Sequence, residues 1–257
     1  MLALIAESKT MTPCDTPVDP EVCARHRPAS DIEAGAIMQA LRSMPPAELA
    51  ERTRLSAQMV KRLAGMIYEF PNKALGDMAI EAFTGVVFKA FGYRTLDAAA
   101  QAETCRRVRI ISSLYGWLRP DDIIKAYRFD FTTPLAPGGL KFAAYWRADV
   151  TRRLINEITL GGIRDVLDLM PGDAARCIDM KAVSAHARVC KVDFREIVDG
   201  TTTRTPNAGR LKTLRGTLLR LIVTGGITSA EELCSLSTDS FVASPDSTPG
   251  HIIFETA

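Results

Sequence analysis

Three short runs rich in Val, Ile and Leu, residues 1–6, 108–114 and 165–170, each end at turn-forming or charged residues, and helical patterns separate them. Runs of this length and composition read as strands buried on both faces. Strands that alternate with helices predict an α/β fold, a β-sheet flanked by helices, formed by one domain over residues 1–257. A chain of 257 residues with 47% hydrophobic residues is long enough to bury such a core.

Between the strands the sequence marks its helices. Residues 11–29 hold Pro13, Pro17, Pro20 and Pro28 and read as an irregular covering loop. Ser30 with Glu33 has the spacing of a capping box before Ile37 and Leu41. One long helix is expected after Pro45-Pro46, with Leu49, Leu55, Met59, Leu63 and Met66 on its apolar side, and further helices over 74–90, 95–107 and 144–159. Residues 189–198 and 201–205 read as a hairpin around Asp199-Gly200. A helix over 208–224, a short one capped by Ser229 and Glu232, and strands near 240–243 and 251–255 complete the chain.

Composition excludes more than it selects. Thirty-two basic and thirty acidic residues give a formal charge of +2, so any nucleic-acid contact must come from a local patch. The six cysteines are scattered and the chain shows no secretory n-region or h-region, which reads as reduced thiols in the cytoplasm. The opening apolar run is too short for a membrane span. No CxxC pair, HExxH, GxGxxG or Walker pattern occurs, and with three histidines no metal site and no cofactor are expected. Oligomeric state is not legible.

The chemistry concentrates in two places. The second run opens into a segment bounded by Gly116 and Pro120 that holds Tyr115, Arg119, Tyr127 and Arg128. Arginines and tyrosines past a strand end in an α/β sheet can hold an anion, since guanidinium is planar and matches phosphate or carboxylate. In the helix over 208–224, at about 100° per residue, Leu211, Leu214, Leu218, Leu221 and Ile222 share a sector, and Arg215 falls inside it, roughly 40° from Leu211. A guanidinium on a buried face must meet a carboxylate or a bound anion. Lys212 and Arg220 lie off that sector and read as solvated, as do the clusters Arg106-Arg107-Arg109, Arg152-Arg153 and Lys61-Arg62.

The run Ser112-Ser-Leu-Tyr-Gly-Trp-Leu-Arg-Pro-Asp with Tyr127-Arg128 resembles the signature of the YaaA peroxide-stress family. Lys9-Thr10, Ala82-Phe83-Thr84-Gly85, Tyr145-Trp146 with Thr151, Asp168-Leu169, Lys212, Arg215-Gly216 and Arg220 follow in that family's order across nearly the whole chain. The resemblance implies a mixed sheet with a positively charged cleft and a helix-hairpin-helix-like element. It also implies a cytoplasmic role in peroxide resistance through DNA binding and limiting free iron. Carried over residue by residue, the cleft draws on Lys9, Thr10, Ser56, Tyr115, Arg119, Tyr127, Arg128, Trp146, Lys212, Arg215 and Arg220.

The chain departs from that pattern at Ala57 and Gln58, where the family has Asp and Lys, at Val86 and Phe88, where it has Asp and Tyr, and at Ala126 and Pro171-Gly172-Asp173-Ala174. Proton-carrying groups are lost while the arginines stay. Two occupants of the cleft follow: double-stranded DNA, held by its phosphates, or a small phosphorylated or carboxylated metabolite. In the second case Arg119, Arg128 and Arg215 clamp the anion and Tyr115 or Tyr127 moves a proton.

Overall fold

The computed structural model describes residues 1–72, 74–198 and 202–256. Strand β1 (Leu2–Ala6) is buried at all five positions. The proline-rich stretch after it is not wholly irregular. It carries helix α1 (Pro20–Arg25), because Asp19 accepts the Glu21 and Val22 N–H groups and Pro20 is preset for a first turn. Helix α2 (Asp31–Leu41) starts where expected but without the capping box: the Ser30 hydroxyl is buried with no hydrogen-bond partner.

The long helix expected after Pro45 is two, α3 (Pro46–Thr53) and α4 (Ala57–Glu69). Arg54 breaks it with a left-handed φ of 56°, and Ser56 restarts it by accepting the Met59 N–H at 3.4 Å. The span 74–90 is also divided, into β2 (Asp77–Met78), the single turn α5 (Ala79–Ala82) and α6 (Val86–Phe91). Here tertiary bonds outcompete helical ones: Thr84 N–H donates to the Thr10 carbonyl and Gly85 N–H to Ser8 Oγ.

Helix α7 (Ala98–Arg107), capped by Asp97, runs directly into β3 (Val108–Ser112). The segment expected as an open turn is a hairpin, because β4 (Gly116–Leu118) folds back antiparallel and pairs Ile110 with Leu118. Gly116 has a φ of 67°, and a Cβ there would lie 2.6 Å from the Trp146 ring, so only glycine fits. Strand β5 (Ile123–Ile124) pairs with β2. Helix α8 (Phe142–Gly161) leads to β6 (Asp165–Asp168), the single turns α9 (Gly172–Ala175) and α10 (Met180–Val183), and β7 (Arg188–Val198).

Strand β8 (Thr202–Arg204) returns antiparallel to β7, as expected; the Asp199-Gly200 turn and Thr201 lie outside the described residues. Helix α11 (Ala208–Thr224), helix α12 (Ala230–Leu233), β9 (Val242–Ala243) and β10 (His251–Thr256) follow. The chain is a single α/β domain with a mixed sheet flanked by helices. Strand order is β4-β3-β1-β6-β7-β10-β9, with β8 beside β7. Strands β3, β1, β6, β7 and β10 are parallel; β4, β8 and β9 run against their neighbours.

The order has one consequence for function. The chain leaves β1 for β3 on one side, then crosses to β6 on the other, so the carboxyl ends of β1 and β6 flank a topological switch point. Open α/β sheets bind ligands at that place. Among the described residues no helix is long and apolar enough to cross a membrane.

Candidate functional site

Glu7 is the first residue past β1, and its backbone N–H still bonds to Ile111 on β3. Its carboxylate accepts the Ser113 N–H at 2.8 Å and the hydroxyl of Tyr127. That hydroxyl also sits 2.7 Å from Ser112 Oγ, which in turn accepts the Leu114 and Tyr115 N–H groups. Burial dominates over these bonds and raises Glu7 to about 7; burial and the neighbouring Glu7 charge push the Tyr127 phenol well above its ordinary value. The end of β1 therefore holds a carboxyl that exchanges its proton near neutral pH.

At the end of neighbouring β6, burial also raises Asp168. Arg215 approaches from α11, which lies against α6 at Gly216. Burial lowers its pKa, and Asp168 and Asp193 are the charges that oppose this shift. Among the described residues the Arg215 guanidinium makes no hydrogen bond or ion pair. The half-buried cation expected from the helix pattern is present without a close carboxylate.

Beside these residues runs a groove of about 710 Å³ between the α3–α4 turn and the loop after Tyr127. Lys9, Arg52, Arg54, Arg128 and Lys141 line it, against Glu51 and Asp130. Lys9 Nζ lies 2.9 Å from Asp130 Oδ2, and Arg128 donates to the Lys9 carbonyl. Burial works against ionisation of Asp130, yet the bonds from Thr132 and Lys9 bring it down to about 2. Arg52 pairs with Glu48 at 2.7 Å. Among the described residues the Arg54 and Lys141 side chains have no ion pair, so the groove keeps an excess of exposed positive charge.

The expected site residues divide three ways. Lys9, Thr10, Tyr127, Arg128, Trp146 and Arg215 gather along the carboxyl edge of the sheet, and Ser56 stands next to Leu55 on the groove wall. Within this group Trp146 is structural, donating to the Ser113 carbonyl at 2.8 Å and covering Gly116. Lys212 is exposed on α11.

The other residues serve elsewhere. Tyr115 is buried, its hydroxyl accepts the Lys125 N–H at 3.1 Å, and it faces a separate cavity of about 410 Å³. Arg220 is not simply solvated: it donates to the Phe91 and Gly92 carbonyls and to Thr95, closing the end of α6. Arg119 does not join Arg128 and Arg215, because β4 reverses the chain and carries it to the amino ends of the strands.

Sequence reasoning overlooked Glu7, Arg54 and Asp130. Glu7 had a usable signal, as a carboxylate directly after the first buried strand; the other two had none. Among the described residues no three His, Cys, Asp or Glu side chains gather as a metal-ligand set, and all six cysteines are free.

Comparison with known proteins places residues 1–247 on the family model described as "Peroxide stress protein YaaA". A UPF0246 protein of Alteromonas mediterranea is 26% identical over 250 residues, covering 96% of this chain and 94% of the relative. A UPF0246 protein of Rhizorhabdus wittichii is 28% identical over 247 residues, covering 96% and 95%. Another, from Parabacteroides distasonis, is 26% identical over 243 residues.

Proposed function

The chain belongs to the peroxide stress protein YaaA family, and on that premise we propose that it acts in the peroxide stress response by holding the phosphate backbone of double-stranded DNA in the groove beside Lys9 and Arg128. One observation carries this reading: five cations face two carboxylates there, and Arg54 and Lys141 have no internal ion pair among the described residues. Backbone phosphates complete such a surface and release their counterions. The joint between α3 and α4 brings Arg54 and Leu55 to the groove, which supports using these two helices as the DNA-facing element. Arg215 adds a half-buried cation at the same edge of the sheet. This role belongs in the cytoplasm. Limiting free iron is, in this reading, a downstream effect of the DNA-bound protein.

The test is fluorescence anisotropy of a labelled duplex across a salt series. Log affinity falls against log salt with a slope of about −0.9 per phosphate contacted. Arg54→Glu and Lys141→Glu each weaken binding and flatten that slope by about one. A duplex that binds equally well to both variants refutes the groove.

A second reading rests on the Glu7–Tyr127 pair. A carboxyl raised to about 7 at the end of β1, with an unpaired half-buried guanidinium near Asp168 at the end of neighbouring β6, is equipped to move a proton on a small anionic metabolite. Glu7 replaces Tyr115 as the proton acceptor in this version, and Arg119 drops out of the clamp. A salt-tolerant thermal shift with a phosphorylated metabolite, lost in Arg215→Ala, selects it over DNA.

A further inference from the structure

The opposite edge of the sheet carries a larger cavity, about 1330 Å³, over the amino ends of β3, β1, β6 and β7. Its floor is made by Arg107 and Arg109 around the start of β3, Met1 before β1, Asp165 at the head of β6 and Arg188 at the head of β7. The second half of α8 and the loop after it form a wall. The basic clusters at 106–109 and 152–153, which read from sequence as solvated helix faces, therefore open on one chamber.

We propose that this cavity binds a small molecule bearing a chain of linked phosphates. Nine arginines line it against four carboxylates. Those four are already engaged: Arg188 holds Asp165 and Glu231, Arg109 holds Glu157, and Asp122 accepts the Arg119 N–H. Further acids outside the lining, Glu103, Asp149, Asp121 and Asp31, pair with Arg106 and Arg107, Arg152 and Arg153, Arg119 and Arg27. Arg164 has no ion pair among the described residues. Half of these acids thus lie outside the lining, which holds nine guanidinium groups against four carboxylates.

Arg107 supplies a second, independent observation. Its side chain is only 6% exposed. Nη2 donates to the Ile227 carbonyl and Nε to the Met1 carbonyl at 3.3 Å, but Nη1 is buried with no hydrogen-bond acceptor, Glu103 standing 3.6 Å away. Glu103 forms an ion pair with Nη1 at 3.6 Å but no hydrogen bond, and guanidinium cannot shed its proton, so an anion oxygen from the cavity can supply the acceptor that Nη1 lacks.

Size and spacing narrow the ligand. The chamber exceeds the roughly 300–1,000 Å³ of ordinary small-molecule sites, and its cations are spread along floor and rim rather than focused at one point. One phosphate would leave most of them unused; a linked series engages several forks at once. A duplex backbone is too broad to descend to the buried Arg107, so the floor favours a small guest. Trp117 and Leu160 border the chamber and can meet an organic remainder.

Isothermal titration calorimetry on the full chain tests this with inorganic tripolyphosphate and, separately, ATP. One molecule of tripolyphosphate is expected to bind per chain, and tighter binding of ATP assigns the organic part to the same chamber. Arg119 and Arg164 are exposed, so Arg119→Glu/Arg164→Glu should fold normally, as circular dichroism can verify, and weaken binding by about tenfold or more. Arg54→Glu, in the groove on the other edge, should abolish neither. Failure of both probes to bind at about 50 mM salt overturns the proposal, as does loss through Arg54→Glu equal to that of the double variant. Loss of duplex binding in the double variant, with no tripolyphosphate bound, also overturns it and gives the chamber to nucleic acid.

Discussion

Replacing glycine by alanine at two helical positions should change stability in opposite directions. Gly216 lies in the middle of α11, where a Cβ would press into the Val87 carbonyl and stand 2.8 Å from Ala90 Cβ and 3.0 Å from Phe91 N. Two of these three neighbours are backbone atoms of α6, so no side-chain rotation relieves the clash. Alanine gains about 1 kcal/mol of helix propensity over glycine. Overpacking against a fixed partner costs about 1–3 kcal/mol, and the rigidity of α6 puts Gly216 at the upper end. The net is a loss of roughly 1–2 kcal/mol, which in a chain of this size lowers Tm by roughly 2–8 °C.

Gly65 sits mid-way along exposed α4 with nothing within 4 Å of its added Cβ. There only the propensity gain operates, so Gly65→Ala should raise stability by up to about 1 kcal/mol. Urea unfolding followed by circular dichroism reads both, with an unchanged m-value required of each. Gly216→Ala should also displace Arg215 from the carboxyl edge and weaken anion binding there. If Gly216→Ala proves as stable as the parent, the close approach of α11 to α6 is wrong; if Gly65→Ala destabilises, the open space around Gly65 is wrong.

Three further outcomes follow from single groups. Glu7 ordinarily titrates at 4.5 and is raised to about 7, so the folded state holds its proton more tightly than the unfolded chain. The stabilisation this provides is complete below 4.5 and disappears as pH climbs through 7, a change of about 3 kcal/mol. Glu7→Gln mimics the protonated form, so its stability relative to the parent should grow between pH 4.5 and 8; equal pH profiles in chemical denaturation would contradict this. The two serines at helix starts should behave differently. Ser229 accepts the Glu232 N–H and donates to its carboxylate, so Ser229→Ala should cost about 1 kcal/mol, whereas Ser30→Ala removes a buried hydroxyl with no partner and should be neutral or stabilising on thermal unfolding.

Much of the fold was legible because its signals are local. The runs ending at Ala6, Ser112 and Asp168, the span of α11 and the cap at Ser229 all follow from neighbours within a few residues. The readings that failed are those a distant group decided. Residues 74–90 have helical periodicity, but the Thr10 carbonyl and Ser8 hydroxyl take the N–H groups of Thr84 and Gly85. The break at Arg54 had no glycine or proline to announce it. Arg220 looked solvated because its acceptors, the carbonyls of Phe91 and Gly92, lie more than a hundred residues earlier in the chain.

The pattern of apolar runs and amphipathic helices determined a parallel-cored α/β domain, since burial of a strand or helix face depends on which residues recur at short spacing. It also put Arg215 on a buried helix face. Only tertiary structure decided which cations share a space. Arg119 and Arg128 stand close in sequence yet serve opposite edges of the sheet: the β3–β4 hairpin delivers Arg119 to the amino ends, in the cavity with Arg109, and residues 120–127, with β5 paired to β2, carry the chain back so that Arg128 reaches the Lys9 carbonyl. A charge acts through space, and no spacing along the chain records the hairpin that sets that distance.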